Sequence, residues 1–170
     1  MSTPIKKSHH SKSILFAAFA TMMLALQAQA KDIAFTGFGF IFSPGVCSMV
    51  RSGGECTSYL LADGAAERFC KERPPGSIRV AGHSMGAGGA TTFIKMVTAC
   101  GLKVEAVVLL DPMVWPFGLP KGVRVKVFCT PSSGGICEGR PEAHKTGGLH
   151  ITMASDSAVR DEVARFFDGE

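Results

Sequence analysis

Ser84 stands between two glycines, in the segment Gly-His-Ser-Met-Gly of residues 82–86. A short apolar run of β type, residues 78–81, precedes this segment, and a stretch of small residues with helical character follows it. This order predicts a strand, a sharp turn and a helix, with the serine strained at the turn. The flanking glycines remove Cβ atoms that would collide with the neighbouring strand and helix. The Ser84 hydroxyl is therefore predicted to be an exposed nucleophile at the carboxyl edge of a sheet.

A serine hydroxyl becomes nucleophilic when a base takes its proton, and an imidazole can accept and return a proton at neutral pH. Three histidines follow residue 30. His83 is adjacent to Ser84 and should point away from its hydroxyl, so we interpret it as a packing residue. His144 lies in a polar loop and is expected to be solvated. His150 lies in a glycine-rich loop just before the last predicted helix, and it is the predicted base.

Asp111 is the predicted acid of the same site. It ends an aliphatic strand predicted over residues 104–110, so its carboxylate should emerge at the sheet edge that carries Ser84. A carboxylate there can hold the imidazole in one tautomer and stabilise the imidazolium. Glu138 and Glu142 follow the next strand and are the alternatives. The alternative is that Asp111 has no catalytic role and only forms the turn with Pro112.

These segments resemble the α/β-hydrolase superfamily, in particular small exported serine hydrolases with thioesterase-like or lipase-like elbows. The resemblance rests on residues 82–86, 109–112 and 149–153, and it covers nearly all of the chain after residue 30. The order of Ser84, Asp111 and His150 is also the family order. The resemblance implies that a small-molecule ester or thioester is cleaved through an acyl-enzyme, for which no metal or organic cofactor is needed.

An acyl-enzyme mechanism also needs backbone N–H groups that hold an oxyanion. The Met85 N–H, at the start of the helix, is the first candidate, and Phe38 or Gly39, in the loop after the first strand, supplies the second. A β-bulge is the alternative explanation of the glycines in that loop. Three apolar side chains after Asp111 are predicted to line an acyl pocket, with the core as the alternative place for them: Met113, Trp115 and Phe117.

Predicted strands and helices alternate along the chain. A strand that runs into a loop is predicted in residues 33–42, and further strands in residues 57–62, 78–81, 104–110 and 123–129. Helices are predicted over residues 63–70, 86–100 and 156–167, with Asp63 and Asp156 as N-terminal caps. Residues 111–122 are expected to connect two of these strands without a helix. Because the strands lack polar alternation, both faces of the sheet should be covered. The prediction is one compact α/β domain over residues 31–170, a three-layer sandwich whose mostly parallel sheet has about five strands.

The first thirty residues have the pattern of a secretory signal peptide. Lys6, Lys7 and Lys12 form a basic start, residues 14–26 are uncharged and mostly apolar, and residues 28–30 read Ala-Gln-Ala. The apolar run is too short to span a bilayer. We expect cleavage after Ala30, no stable membrane anchor in the mature chain, and a periplasmic or secreted protein.

The charge and the cysteines agree with export. The leader holds three of the 18 basic residues and none of the 14 acidic ones, so the net charge falls from +4 to +1 after cleavage. A nucleic-acid partner is therefore not expected. All six cysteines follow residue 30 and are expected to form disulfides, for which 15 pairings are possible. Spacing favours Cys47 with Cys56 and Cys129 with Cys137, which leaves Cys70 and Cys100; free thiols and a zinc site are the alternatives.

Two other classes of function remain open at the level of the sequence. One is a binding or structural domain of the cell envelope that has a hydrolase scaffold without activity, since a fold does not determine a function. The other is an interaction protein stabilised by disulfides. A serine-directed fluorophosphonate probe distinguishes them from an enzyme, because only an enzyme is labelled at Ser84.

Overall fold

The computed structural model describes residues 30–38, 44–140 and 143–170. Six strands form one sheet: β1 Lys31–Thr36, β2 Glu55–Ser58, β3 Ile78–His83, β4 Val104–Leu110, β5 Arg124–Cys129 and β6 Ala143–Lys145. Their order across the sheet is β2-β1-β3-β4-β5-β6, and every neighbouring pair is parallel. The predicted parallel sheet is confirmed, with six strands where about five were expected. Residues 1–29 of the predicted leader, Gly39, and the end of the predicted run at residues 40–42 lie outside the described residues.

Within the described part of the chain, four α-helices cover the two faces of the sheet: α1 Pro44–Cys47, α2 Ala62–Glu72, α3 Gly86–Ala99 and α4 Ser157–Asp168. Phe69 of α2 and Phe93 of α3 pack with Phe35 of β1 on one face. On the other face, Val46 of α1 and Val163 of α4 pack in a second cluster. The four central strands, β1, β3, β4 and β5, send side chains into both clusters, which explains why these strands lack polar alternation. The predicted three-layer sandwich is confirmed.

The start of α2 differs from the prediction. The strand expected over residues 57–62 ends at Ser58, whose hydroxyl accepts a hydrogen bond from the Leu60 N–H at 3.4 Å. That bond caps a 3₁₀ turn, Tyr59–Leu61, which leads directly into α2. Asp63 therefore lies in the first turn of α2 and is not its N-cap. A hydroxyl that competes for backbone N–H groups ended the strand earlier than the apolar pattern indicated.

The second half of the sheet is built with few helices. Residues 111–123 connect β4 to β5 without a helix, as predicted. A 3₁₀ turn, Pro131–Ile136, follows β5 and leads toward β6, the strand that the sequence analysis missed. With three residues paired only to β5, β6 is too short to give a hydrophobic pattern. The Asp156 side chain accepts hydrogen bonds from the Ala158 and Val159 N–H groups, so its predicted role as the cap of α4 is confirmed.

Three disulfides tie these elements together: Cys47–Cys56, Cys70–Cys100 and Cys129–Cys137. The first joins α1 to β2, the second joins α2 to the end of α3, and the third closes the loop after β5. The pairing favoured by spacing is confirmed, and free thiols and a zinc site are excluded for these six residues. In the described ranges, no helix combines the length and the hydrophobicity needed to cross a membrane.

Candidate active site

Ser84 follows β3 at a strained turn. Its φ of 59° lies in the left-handed region, which residues other than glycine rarely adopt. The turn is fixed at the end of β4, because the Ser84 N–H donates to the Leu110 carbonyl at 2.9 Å. Gly86 opens α3 so close to β1 that a Cβ atom there would collide with the Phe35 carbonyl. The predicted strand, turn and helix are present, and the glycine allows the helix to approach the sheet.

A chain of hydrogen bonds connects Ser84, His150 and Asp111. His150 Nε2 lies 3.0 Å from Ser84 Oγ, and His150 Nδ1 lies 2.6 Å from Asp111 Oδ2. Because an ionised carboxylate can only accept, Nδ1 carries the proton and donates to Asp111. In the neutral imidazole, Nε2 is then the acceptor for the Ser84 hydroxyl. The structure thus brings together the three side chains that the sequence analysis assigned to the site.

The Asp111 carboxylate is 1% exposed and is surrounded by donors. The Thr130 N–H donates to it at 2.8 Å, the Thr130 hydroxyl at 2.6 Å, and the Ser133 hydroxyl also donates. Burial raises the pKa of Asp111, but the hydrogen bonds from Ser133, Thr130 and His150 together hold the pKa below its ordinary value. The carboxylate is therefore ionised at neutral pH.

His83 has a contact that the sequence analysis missed. Its ring is 1% exposed, and its Nε2–H donates to the backbone carbonyl of His150 at 2.8 Å. The two imidazole rings lie 4.9 Å apart between centroids. Burial lowers the pKa of His83, outweighing the bond to the His150 carbonyl, which raises it. The neutral His83 imidazole thus holds the loop that carries His150. His83 is therefore more than the packing residue that the sequence indicated.

The alternatives to Asp111 and His150 lie elsewhere. Glu138 is exposed and borders a separate cavity with Lys145 and Thr146. Glu142 lies outside the described residues. His144 is on β6 and not in a loop, and it is exposed, with Nδ1 3.8 Å from the Glu162 carboxylate. Among the described residues, Asp111 is the carboxylate that contacts the His150 ring.

The first predicted oxyanion donor lies beside Ser84. Met85 is the N-cap of α3, in the first turn where backbone N–H groups have no partner within the helix. The loop after β1 passes close to it: a Cβ atom at Gly37 would lie 3.0 Å from Ser84 Cβ and 3.4 Å from the Met85 nitrogen. Phe38 follows, with its side chain 72% exposed. The structure thus brings Met85 and the start of the predicted second donor segment to the same side of Ser84.

A cleft of about 580 Å³ opens beside the serine. Its lining is mostly apolar and includes Ser84, Met85 and the following residues: Tyr59, Leu60, Ala62, Asp63, Gly88, Gly89, Thr92, Met113 and Val114. The volume is in the range of small-molecule sites. Met113, a predicted pocket residue, is part of this wall.

The two other predicted pocket residues are not in the wall of the cleft. Trp115 is partly buried and packs against the core cluster that contains α2 and α3. The Arg140 guanidinium lies over its ring, 4.8 Å from the centroid, and 5.7 Å from the centroid of Phe117. Phe117 itself is 62% exposed. Trp115 therefore takes the alternative place, in the core, because the loop after β4 folds back on the sheet after Val114.

Comparison with solved structures identifies the fold. The NocB thioesterase domain, in covalent complex with a fluorophosphonate nocardicin G analog, has a TM-score of 0.55 at 13% identity over 85% of this chain and 96% of its own. A protein from Xanthomonas campestris pv. campestris, described as a hydrolase of the alpha/beta superfamily, has a TM-score of 0.52 at 15% identity, over 82% and 99%. A cutinase-like protein from Cryptococcus sp. has a TM-score of 0.52 at 13% identity, over 84% and 95%.

These likenesses show that the chain has the α/β-hydrolase fold, and the predicted resemblance is confirmed at that level. No protein-family model matches the sequence, and neither does any curated protein. Within the described ranges, no group of three or more His, Cys, Asp or Glu side chains is placed to hold a metal ion.

We predict that His83→Phe destabilises the protein. The variant keeps an aromatic ring but removes the donor to the His150 carbonyl, and leaving a partly buried polar group unpaired costs about 1 to 3 kcal/mol of unfolding free energy. Denaturant titration measures the loss. His144→Phe, at the exposed histidine of β6, is the matched control and should change the unfolding free energy by less than about 0.5 kcal/mol. Equal stability of the two variants would contradict the prediction.

Comparison of His83→Phe with the parent protein also tests the pKa of His83. The unfolded chain binds a proton at this residue near the ordinary imidazole pKa of about 6.5, while the folded protein does so only at lower pH. The contribution of His83 to stability is therefore complete above about pH 6.5 and decreases below it. His83→Phe should lose less stability than the parent between about pH 7 and about pH 5.5.

Proposed function

We propose that the protein is a serine hydrolase that cleaves an ester or thioester through an acyl-enzyme. Ser84 is the nucleophile, His150 the base, and Asp111 the acid that orients His150. The observation that carries the proposal is the unbroken hydrogen-bonded chain from the Ser84 hydroxyl to the buried Asp111 carboxylate. The thioesterase and cutinase-like proteins that share the fold support the same reaction class.

Acylation begins when Ser84 Oγ attacks the acyl carbon of the substrate. The hydroxyl proton passes to His150 Nε2, 3.0 Å away, and the resulting imidazolium is stabilised by the Asp111 carboxylate. The tetrahedral intermediate then collapses. The bond to the alcohol or thiol breaks, and the leaving group takes the proton from His150 Nε2. The acyl group remains on Ser84 as an ester.

Deacylation repeats these steps with water. His150 Nε2 takes a proton from the water that attacks the acyl carbon, and it returns this proton to Ser84 Oγ as the acid product leaves. In both stages, the negative charge on the carbonyl oxygen needs N–H donors that are already in place. Met85 supplies one in this proposal. Phe38 or Gly39 supplies the other in this proposal.

Replacement of Ser84 tests the nucleophile. Ser84→Ala should reduce p-nitrophenyl acetate hydrolysis by about 10³-fold or more, leaving what the oxyanion donors and binding provide. A fluorophosphonate probe should label the parent at Ser84 and should fail to label the variant. Ser157→Ala, at an exposed serine of α4, is the control and should retain activity and labelling. An unlabelled, inactive parent protein would favour a silent binding domain instead.

Paired replacements test the acid. Asp111→Asn should favour the wrong imidazole tautomer and reduce kcat by about 10² to 10⁴-fold. Glu138→Gln should leave the rate close to that of the parent, because Glu138 is exposed and lines a different cavity from Ser84. Melting temperatures are measured with the rates, since Asp111 also braces its own loop. An active Asp111→Asn beside an impaired Glu138→Gln would transfer the role to Glu138.

We further propose that residues 1–30 are a signal peptide and that the mature protein is exported to the periplasm or beyond. Three disulfides among the described residues support an oxidising compartment. The intact mass of the mature protein should correspond to a chain that starts at Lys31. It should lie below the mass of the reduced chain by about two mass units per disulfide. A cytosolic product that keeps its leader and has titratable thiols would refute the proposal.

A further inference from the structure

Seven of the eight exposed large hydrophobic side chains of the described residues lie at one edge of the sheet. They occupy loops that follow the carboxyl ends of four strands: Phe38 after β1, Leu60 and Leu61 after β2, Met113 and Val114 after β4, and Leu149 and Ile151 after β6. Their exposed fractions range from 56% to 73%. Single exposed apolar residues need no explanation, but a group confined to one edge marks an interaction surface. We call this group the apolar rim.

The apolar rim surrounds the candidate active site. Leu60, Met113 and Val114 line the cleft together with Ser84. Leu149 and Ile151 are the neighbours of His150 in the sequence. The rim and the site therefore share one surface, and anything that covers the rim also covers the opening to Ser84.

Charged side chains are scarce at this edge. Residues 36–38, 59–61, 112–119 and 146–152 contain no Asp, Glu, Lys or Arg, although such residues make up 19% of the chain. Among the described residues that line the cleft, Asp63 is the charged one, and its carboxylate disfavours an anionic substrate. A charged carrier or nucleotide thioester would need cations here.

We propose that the apolar rim binds the surface of a water-insoluble, uncharged ester, and that the enzyme acts on substrate at that surface. This inference rests on the proposed function. A single soluble molecule in the cleft reaches Leu60, Met113 and Val114, but Leu61, Leu149 and Ile151 are not part of the cleft wall. Only an extended apolar surface contacts the loops after all four strands. A second copy of the chain is a poorer occupant, because it would cover Ser84.

Two substrates separate the rim from the chemistry. p-Nitrophenyl acetate is soluble and needs only the site, whereas emulsified tributyrin presents a neutral ester surface. The test variant carries Leu61→Ser, Leu149→Ser and Ile151→Ser, three rim residues that do not line the cleft. A matched control carries Glu67→Ser, Lys71→Ser and Lys103→Ser, three exposed residues away from this edge.

The rim variant should lose about tenfold or more of the tributyrin rate, which corresponds to roughly 1.4 kcal/mol of lost binding. Its rate on p-nitrophenyl acetate should stay within about twofold of the parent. The control should match the parent on both substrates. Equal losses on both substrates, or an unchanged tributyrin rate, would overturn the proposal. So would a parent dimer, detected by light scattering, that the rim variant converts to a monomer.

Droplet binding gives a readout without turnover. Ser84→Ala should float with tributyrin droplets in a density gradient, and the same protein with the three rim replacements should remain in the aqueous layer. Failure of the parent to hydrolyse either ester would refute the proposed function, while flotation would still decide whether the rim binds an ester surface. Absence of flotation with normal p-nitrophenyl acetate hydrolysis would refute the rim alone.

Discussion

A buried carboxylate must be compensated by hydrogen bonds, and the candidate site is organised around this requirement at Asp111. Among the described contacts, no Lys or Arg side chain compensates the charge of this carboxylate, which is 1% exposed. Hydrogen-bond donors from Thr130, Ser133 and His150 do so instead. The 3₁₀ turn after β5 carries Ser133, and the Cys129–Cys137 disulfide closes the loop that contains this turn. Because Asp111 is ionised, the proton of the neutral His150 imidazole lies on Nδ1. Nε2 is then the acceptor that faces Ser84.

The order of the strands explains how so short a chain assembles this site. All six strands are parallel, so their carboxyl ends and the loops that follow them share one edge. The chain passes from β1 outward to β2 and then returns to the other side of β1 to form β3. A crevice opens at such a switch point in α/β sheets, between the loops after the two strands that flank it. Gly37 and Ser84 lie on its two sides, and Asp111 and His150 reach the same edge from β4 and from the loop after β6.

Much of this arrangement could be predicted because it depends on local patterns. The strand at residues 104–110, the turn at Ser84 and the cap at Asp156 each have strong signals within a few residues. The bounds of β2 and the existence of β6 could not be predicted, since a hydroxyl bond and a three-residue edge pairing leave little trace in hydrophobicity. The bond from His83 to the His150 carbonyl joins residues 67 positions apart, and only the fold brings them together.

Backbone strain bears on the choice between an enzyme and a silent scaffold. Three residues other than glycine have positive φ in the part of the chain that the structure describes: Arg73, Ser84 and Asp111. Arg73 ends α2, a position where a left-handed residue is common. Ser84 and Asp111 have φ values of 59° and 44°, which cost on the order of 1 to 3 kcal/mol each and which glycine would adopt without strain. Backbone stability alone favours glycine at both positions, so the side chains must contribute what glycine cannot. The hydrogen bonds that the Asp111 carboxylate accepts within its own loop offset part of this cost. The Ser84 hydroxyl is bonded to His150 and faces a cleft, so it offers the fold less in return for the strain. This difference favours a chemical role for Ser84 over a purely structural one.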